Sequence, residues 1–244
     1  MAWWGARPSL SSDSRHPKLG PFPALYVIIG GPLRGTRSHT DLTKAAVEEG
    51  AQLVQLREKG LEAKDLVRIA REMRDVCHEH GALLIVNDRV DVAFEADADG
   101  VHVGQEDISP ETARVILGPG KIVGVSVDNL AEAEEAATAG VDYVGLGPVY
   151  ATSTKDCGVL PCGASLVKEV ATRVRLPVFG IGGITPENTL PVLQAGAAGV
   201  AVISAFLTAP DPRQAVRAFL EVFRVFSAAG KAEAEANNTT KHLV

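Results

Sequence analysis

Three observations predict an α/β chain folded as one (β/α)8 TIM barrel: its length, eight short β-branched runs, and a helical pattern after each run. The 244 residues match the ~250 typical of such a barrel. The runs are Leu25–Ile29, Gln52–Leu56, Leu83–Val86, Gly100–Val103, Ile122–Val125, Tyr143–Leu146, Pro177–Phe179 and Gly199–Ile203. Between them, apolar residues recur at three- and four-residue spacing, as in Leu66, Ile69, Ala70 and Met73, the signature of helices with one buried face. Repeated strand–helix units with short connections imply a parallel sheet. No Gly-x-Gly-x-x-Gly turn follows the first strand, which argues against an open dinucleotide-binding sheet.

Helix ends are legible as well. Thr185-Pro186-Glu187 supplies an N-cap, a proline at the first helical position and an acid in the first turn. Gly50, Gly81, Gly140 and Gly196 stand where helices stop before the next strand. Residues 1–22, rich in Ser, Pro and Gly, read as a flexible N-terminal tail; a transit peptide is the weaker alternative. Residues 23–227 form the barrel, and residues 228–244 read as a flexible C-terminal tail.

Composition narrows the functional classes. With 46% hydrophobic and 22% charged residues the chain is an ordinary globular one. A net charge of −6 argues against a nucleic-acid partner, and no apolar run approaches membrane-spanning length. Cys77, Cys157 and Cys162 are too few and too irregular for a disulfide framework, so a reducing, cytoplasmic setting fits. A metal on Cys157 and Cys162 lacks further soft ligands. Asn238-Thr239-Thr240 matches a glycosylation sequon but has no secretory signal to accompany it.

A barrel carries its chemistry at the carboxyl ends of its strands. The second strand ends Gln55-Leu56-Arg57-Glu58-Lys59; alternation puts Gln55, Arg57 and Lys59 on one face, with Val54 and Leu56 under the helices. The cations there call for an anionic ligand, or for partners in a rim salt-bridge cluster. Asn87-Asp88 and His102 to Asp107 end the third and fourth strands. Asp88 and Asp107 suit Mg²⁺ with phosphate oxygens, although Asp88 is also placed to cap a helix. His102 points inward, where a hydrogen-bonded core histidine is the commoner outcome than an acid or base. The sixth strand leads into Thr152-Ser153-Thr154-Lys155, either anion-binding hydroxyls with a lysine or an ordinary surface turn. A glycine-rich turn follows the seventh strand at 180–185 and the eighth strand ends at 201–205, the two places where barrels commonly hold phosphate.

This ordered set resembles the thiamine-phosphate synthase family. The matching segments are 55–59, 87–89, 102–107, Gly124-Val125-Ser126, 152–155, 180–185 and Val202-Ile203-Ser204-Ala205, within roughly residues 24–226. The resemblance implies a transferase of thiamine biosynthesis that joins 4-amino-2-methyl-5-pyrimidinylmethyl diphosphate to thiazole phosphate, giving thiamine phosphate and diphosphate. It implies that Gln55 and Asn87 hold the pyrimidine, and that Arg57, Lys59, Ser126 and Lys155 hold the diphosphate and stabilise its departure. By the same resemblance Asp88 and Asp107 carry Mg²⁺, while Thr152, Thr154, Gly183, Ile203 and Ser204 seat the thiazole phosphate. Its partners are small molecules, and a homo-oligomer is compatible with it. Three segments depart from the family pattern: Gly30-Gly31-Pro32 after the first strand, Asp128 after Ser126-Val127, and residues 156–163 with their two cysteines. A tautomerase-like relative of the same fold, another phosphate-binding barrel enzyme and a non-catalytic phosphate binder are the alternatives.

Overall fold

The computed structural model describes residues 19–152, 154 and 160–241. Eight parallel strands close into a barrel in the order β1-β2-β3-β4-β5-β6-β7-β8. They are β1 (Ala24–Ile29), β2 (Leu53–Leu56), β3 (Leu83–Asn87), β4 (Gly100–Val103), β5 (Ile122–Val127), β6 (Tyr143–Leu146), β7 (Val178–Ile181) and β8 (Gly199–Val202). The helices between them are α1 (His39–Val47), α2 (Ala63–Glu79), α3 (Val90–Glu95), α4 (Pro110–Leu117), α5 (Leu130–Thr138), α6 (Gly163–Arg173) and α7 (Pro186–Gln194). A short α8 (Ser204–Leu207) and a long α9 (Pro212–Lys241) follow β8. Each expected strand lies within two residues or so of an observed one, and the single-domain (β/α)8 barrel is the architecture found.

Two separate cores follow from the two-residue period of the strands. The outward positions, among them Val54, Leu56, Val86 and Val101, pack under the helices with Leu66, Ile69, Ala70 and Met73 of α2. The inward positions Tyr26, Leu53, Ile85, Ile122, Tyr143 and Phe179 fill the barrel. Three aromatic rings from β1, β6 and β7 meet there edge to face, at centroid distances of 5.4 to 5.9 Å, the geometry that ring quadrupoles favour. The room comes from glycine. A β-carbon at Gly124 would overlap the Tyr143 ring, and one at Gly199 would stand 2.9 Å from Phe179.

The helix signals act as expected. Gly50, Gly81, Gly140 and Gly196 all take positive φ, which lets each helix turn back into the next strand without a β-carbon penalty. Thr185 is the N-cap of α7 with Pro186 behind it. Ser38, Ser109 and Asn129 cap α1, α4 and α5 by accepting a backbone N–H three residues on.

The chain ends differ from the expectation. Leu19, placed in the tail on composition, is 2% exposed and packs with Phe22 into the inner core, where Phe22 meets Phe179 edge to face at 6.2 Å. An open barrel end presents apolar side chains that something must cover, and the segment just before β1 is the nearest chain available. Residues 228–241, read as a tail, continue α9; their Ala and Glu content favours helix by intrinsic propensity. Residues 1–18 and 242–244 lie outside the described residues.

Candidate active site

At the carboxyl ends of the strands the barrel opens into a cavity of about 540 Å³, a volume suited to small ligands. Twelve of the thirteen residues singled out in the sequence line it: Gln55, Arg57 and Lys59 from β2 and its loop, Asn87 and Asp88 from β3, Asp107 and Ser126 from β4 and β5, then Thr152, Thr154, Gly183, Ile203 and Ser204. The thirteenth, Lys155, lies outside the described residues, as do Ser153 and Cys157.

The β2 loop divides its charges by face. Glu58 turns outward, within 3.3 Å of Arg34 and 2.7 Å of His39, and burial together with the Arg34 charge lowers the His39 pKa against the raising pull of Glu58. Arg57 and Lys59 line the cavity and make no ion pair among the described residues. Among the described residues the rim salt-bridge alternative does not form: the acid between the two cations is used elsewhere, and the cations face the cavity. Gly30, one of the departures, has a role in this placement. A β-carbon there would overlap the Arg57 carbonyl, so glycine lets the end of β1 lie directly against the end of β2.

Asp88 has φ 61, a left-handed conformation that Asp and Asn tolerate better than most residues. It does not cap α3, whose N-cap is Arg89 without a side-chain cap bond. Its carboxyl instead faces Asp107. Partial burial and then Asp107 raise its pKa from 3.8 to about 6, against the lowering pull of Lys59 and Arg57. Asp107 also accepts the Gly104 N–H at 2.7 Å, which closes the turn after β4. Among the described residues no three His, Cys, Asp or Glu side chains gather as a metal cluster. Two carboxylates held together beside the cavity are the kind of oxygen donors that a hard divalent cation could use.

Across the mouth, Gly183 has φ 63 and closely approaches Ala151 and Tyr150. Asn188 clips this turn from α7: its side chain accepts the Thr185 N–H at 2.8 Å and donates to the Gly183 carbonyl at 2.9 Å. Ile203 and Ser204 begin the chain reversal into α8, and the Ile203 carbonyl accepts from Leu207 at 2.8 Å. Thr152 Oγ1 accepts the Thr154 N–H at 3.2 Å, so both hydroxyls sit in one local turn beside the cavity.

His102 is buried, with Nδ1 3.0 Å from the Tyr143 hydroxyl and Nε2 2.9 Å from Ser126 Oγ, the hydrogen-bonded core reading. Sequence reasoning missed Tyr26 and Tyr143, which read as ordinary apolar strand residues. It also missed Gln105, whose side chain donates to the Ser126 carbonyl at 2.7 Å, and Asn188. Asp128, a departure, lines the cavity too. Cys162 is the N-cap of α6, and burial pushes its thiol pKa up.

Residues 25–206 match the family model described as thiamine monophosphate synthase. The chain is 46% identical over 215 residues to the thiamine-phosphate synthase of Roseiflexus sp. (strain RS-1), covering 86% of this chain and 89% of that protein. It is also 46% identical over 208 residues to the thiamine biosynthesis bifunctional protein ThiM/ThiE of Symbiobacterium thermophilum, spanning 85% of this chain but 42% of that longer protein. The solved thiamine phosphate pyrophosphorylase from Pyrococcus furiosus superposes with a TM-score of 0.78 at 36% identity, over 86% of this chain and 98% of that one. No described helix is long and apolar enough to cross a membrane.

Proposed function

The chain belongs to the thiamine monophosphate synthase family, and we propose that its barrel mouth joins 4-amino-2-methyl-5-pyrimidinylmethyl diphosphate to thiazole phosphate, releasing diphosphate and thiamine phosphate. The observation that carries this reading is the meeting of two cations that make no ion pair among the described residues, a carboxylate pair and a glycine-built turn around one cavity. Those parts match the two anionic groups that the substrates bring.

Gln55 and Asn87 hold the aminopyrimidine ring at the cavity floor. Arg57 and Lys59, with Ser126 as a hydroxyl donor and Lys155 from the β6 loop, bind the diphosphate. When the methylene C–O bond breaks, its electron pair leaves with the diphosphate, whose growing charge those donors stabilise. Preorganised donors aimed at developing charge account for much of enzymatic rate enhancement. The pyrimidinylmethyl cation left behind is resonance-stabilised, and the thiazole nitrogen lone pair closes the new C–N bond. Thr152 and Thr154 by their hydroxyls, and Gly183, Ile203 and Ser204 chiefly by backbone groups, seat the thiazole phosphate so that this nitrogen faces the cation. The chemistry asks for no general base.

Asp88 and Asp107 would hold Mg²⁺, which when bound supplies further positive charge to the diphosphate. The raised Asp88 pKa, from burial first and then from Asp107, supports that assignment, because a cation, like a proton, offsets the charge of a partly buried carboxylate beside another. The cytoplasm suits the reading and the free thiols of Cys77 and Cys162. Assembly into a homo-oligomer would leave it unchanged, since every residue in it comes from one chain.

Calorimetric titration with diphosphate, with and without Mg²⁺, tests the reading against a simple phosphate binder. Tight binding that needs Mg²⁺ is expected. Equal binding in EDTA would favour the binder and count against the carboxylate assignment.

A further inference from the structure

Beneath the cavity, five polar side chains from five strands form one continuous hydrogen-bond chain. Gln55 Nε2 on β2 donates to the Tyr26 hydroxyl on β1 at 2.6 Å. That hydroxyl meets Tyr143 of β6 at 2.9 Å. Tyr143 meets His102 Nδ1 of β4 at 3.0 Å, and His102 Nε2 meets Ser126 Oγ of β5 at 2.9 Å. The histidine ring also stacks on the Tyr143 ring, at a centroid distance of 5.5 Å.

Each phenol has one hydrogen, and both are fully buried, so neither hydrogen is left unbonded without a penalty. Burial also holds both phenols protonated. Because Gln55 donates to Tyr26, the Tyr26 hydrogen goes to Tyr143, and the Tyr143 hydrogen goes to His102 Nδ1. A neutral imidazole then carries its hydrogen on Nε2 and donates it to Ser126. The Ser126 hydrogen is thereby turned toward the cavity. A doubly protonated ring would break this order, because Tyr143 would have to donate back to Tyr26 and leave the Tyr26 hydrogen without an acceptor. At the opposite end, Gln55 donates one of its two amide hydrogens to Tyr26, and with the nitrogen turned to that bond the carbonyl oxygen is the end left for the cavity that the residue lines. Rotating the Gln55 amide by half a turn would reverse every bond in the chain and turn Ser126 lone pairs into the cavity instead.

We infer that the Tyr26–Tyr143–His102 relay is a specificity device that locks two cavity groups together, Gln55 as an acceptor and Ser126 as a donor. The pocket so ordered takes a heteroaromatic ring with an amino N–H at Gln55 and an anionic oxygen at Ser126. The oxo counterpart of that ring puts a lone pair against the Gln55 oxygen. Relieving that clash by turning the amide would cost the Ser126 donor as well. The three relay residues are positioning residues, and the inference rests on the pyrimidine lying at Gln55 as proposed above.

Two measurements on the full chain test it. In protein labelled with ¹⁵N-histidine, with the His102 signal among the six histidines assigned by a His102→Asn variant, the ring should carry its proton on Nε2. A proton on Nδ1 overturns the relay's direction outright, whatever the enzyme turns over. Calorimetry with the 4-amino pyrimidinylmethyl diphosphate and its 4-oxo counterpart should then show a strong preference for the amino ligand in the wild type. In folded Tyr143→Phe and Tyr26→Phe variants that ratio should fall by about tenfold or more, the scale on which a site ordered for hydrogen bonding discriminates. An unchanged ratio in either folded variant overturns the specificity role. Wild-type protein that binds neither ligand overturns the functional reading beneath it, and the specificity role falls with that reading.

Discussion

Replacing Asp88 with asparagine should make the ligand-free protein more stable while removing its activity. Asparagine keeps the size of the side chain and tolerates the left-handed backbone at φ 61, so the substitution adds no strain. What it removes is a carboxylate that the fold holds near Asp107 at a pKa of about 6, against an ordinary 3.8. That difference amounts to about 3 kcal/mol for a fully desolvated group. Asp88 is only partly buried, and solvent screening reduces the figure to about 1–2 kcal/mol. The sign follows from proton counts. Between pH 3.8 and about 6 the unfolded chain has released this proton and the folded chain still holds it, so wild-type stability falls through this window as pH rises. The variant lacks that loss. Urea denaturation of both proteins in EDTA, from pH 4 to pH 7.5, should therefore show equal stability at the acid end and an asparagine advantage of about 1–2 kcal/mol at pH 7.5. An advantage that is absent at pH 7.5, or that does not change with pH, would refute the claim that burial and the neighbouring Asp107 disfavour the Asp88 carboxylate.

Three further outcomes are expected. Lys59→Ala should lower turnover by about 10²–10³-fold, the usual effect of losing one preorganised donor, with a thermal midpoint close to wild type by calorimetry; a large drop in midpoint with modest kinetic change would make Lys59 structural. Gly183→Ala should raise the KM for thiazole phosphate, because φ 63 and the approach of Ala151 and Tyr150 leave no room for a β-carbon; steady-state kinetics with each substrate varied would show it, and an equal effect on the pyrimidine substrate would count against the assignment. Leu19→Ala should cost about 2–5 kcal/mol as an emptied core position, measured by urea denaturation, whereas a loss under 0.5 kcal/mol would mean that the barrel end needs no cover.

How much of this was legible in the sequence depends on the range of each interaction. The Gln55–Lys59 face could be read because alternation along a strand is a two-residue rule, and Val54 and Leu56 duly lie in the outer core. The Gly183 turn and the Thr185 cap were legible for the same reason, being set by neighbours in sequence. The relay was not, because Tyr26 and Tyr143 are 117 residues apart and meet only when the barrel closes. Asp88 was open between cap and ligand group, and what the structure removes is the cap, since the N-cap of α3 is Arg89. Leu19 was misplaced because Ser, Pro and Gly around it describe a local chain preference, while its burial depends on an open barrel end. Residues 228–241 were misread through weight on their polarity, where their helix propensity prevailed.

The most direct test of the account mixes the purified protein with 4-amino-2-methyl-5-pyrimidinylmethyl diphosphate and thiazole phosphate, in Mg²⁺ or in EDTA. Thiamine phosphate is read as thiochrome fluorescence after oxidation. The account expects product in Mg²⁺ and little or none in EDTA. Folded protein that forms no product in Mg²⁺ would contradict the proposed reaction, and equal product in EDTA would contradict the role given to Asp88 and Asp107.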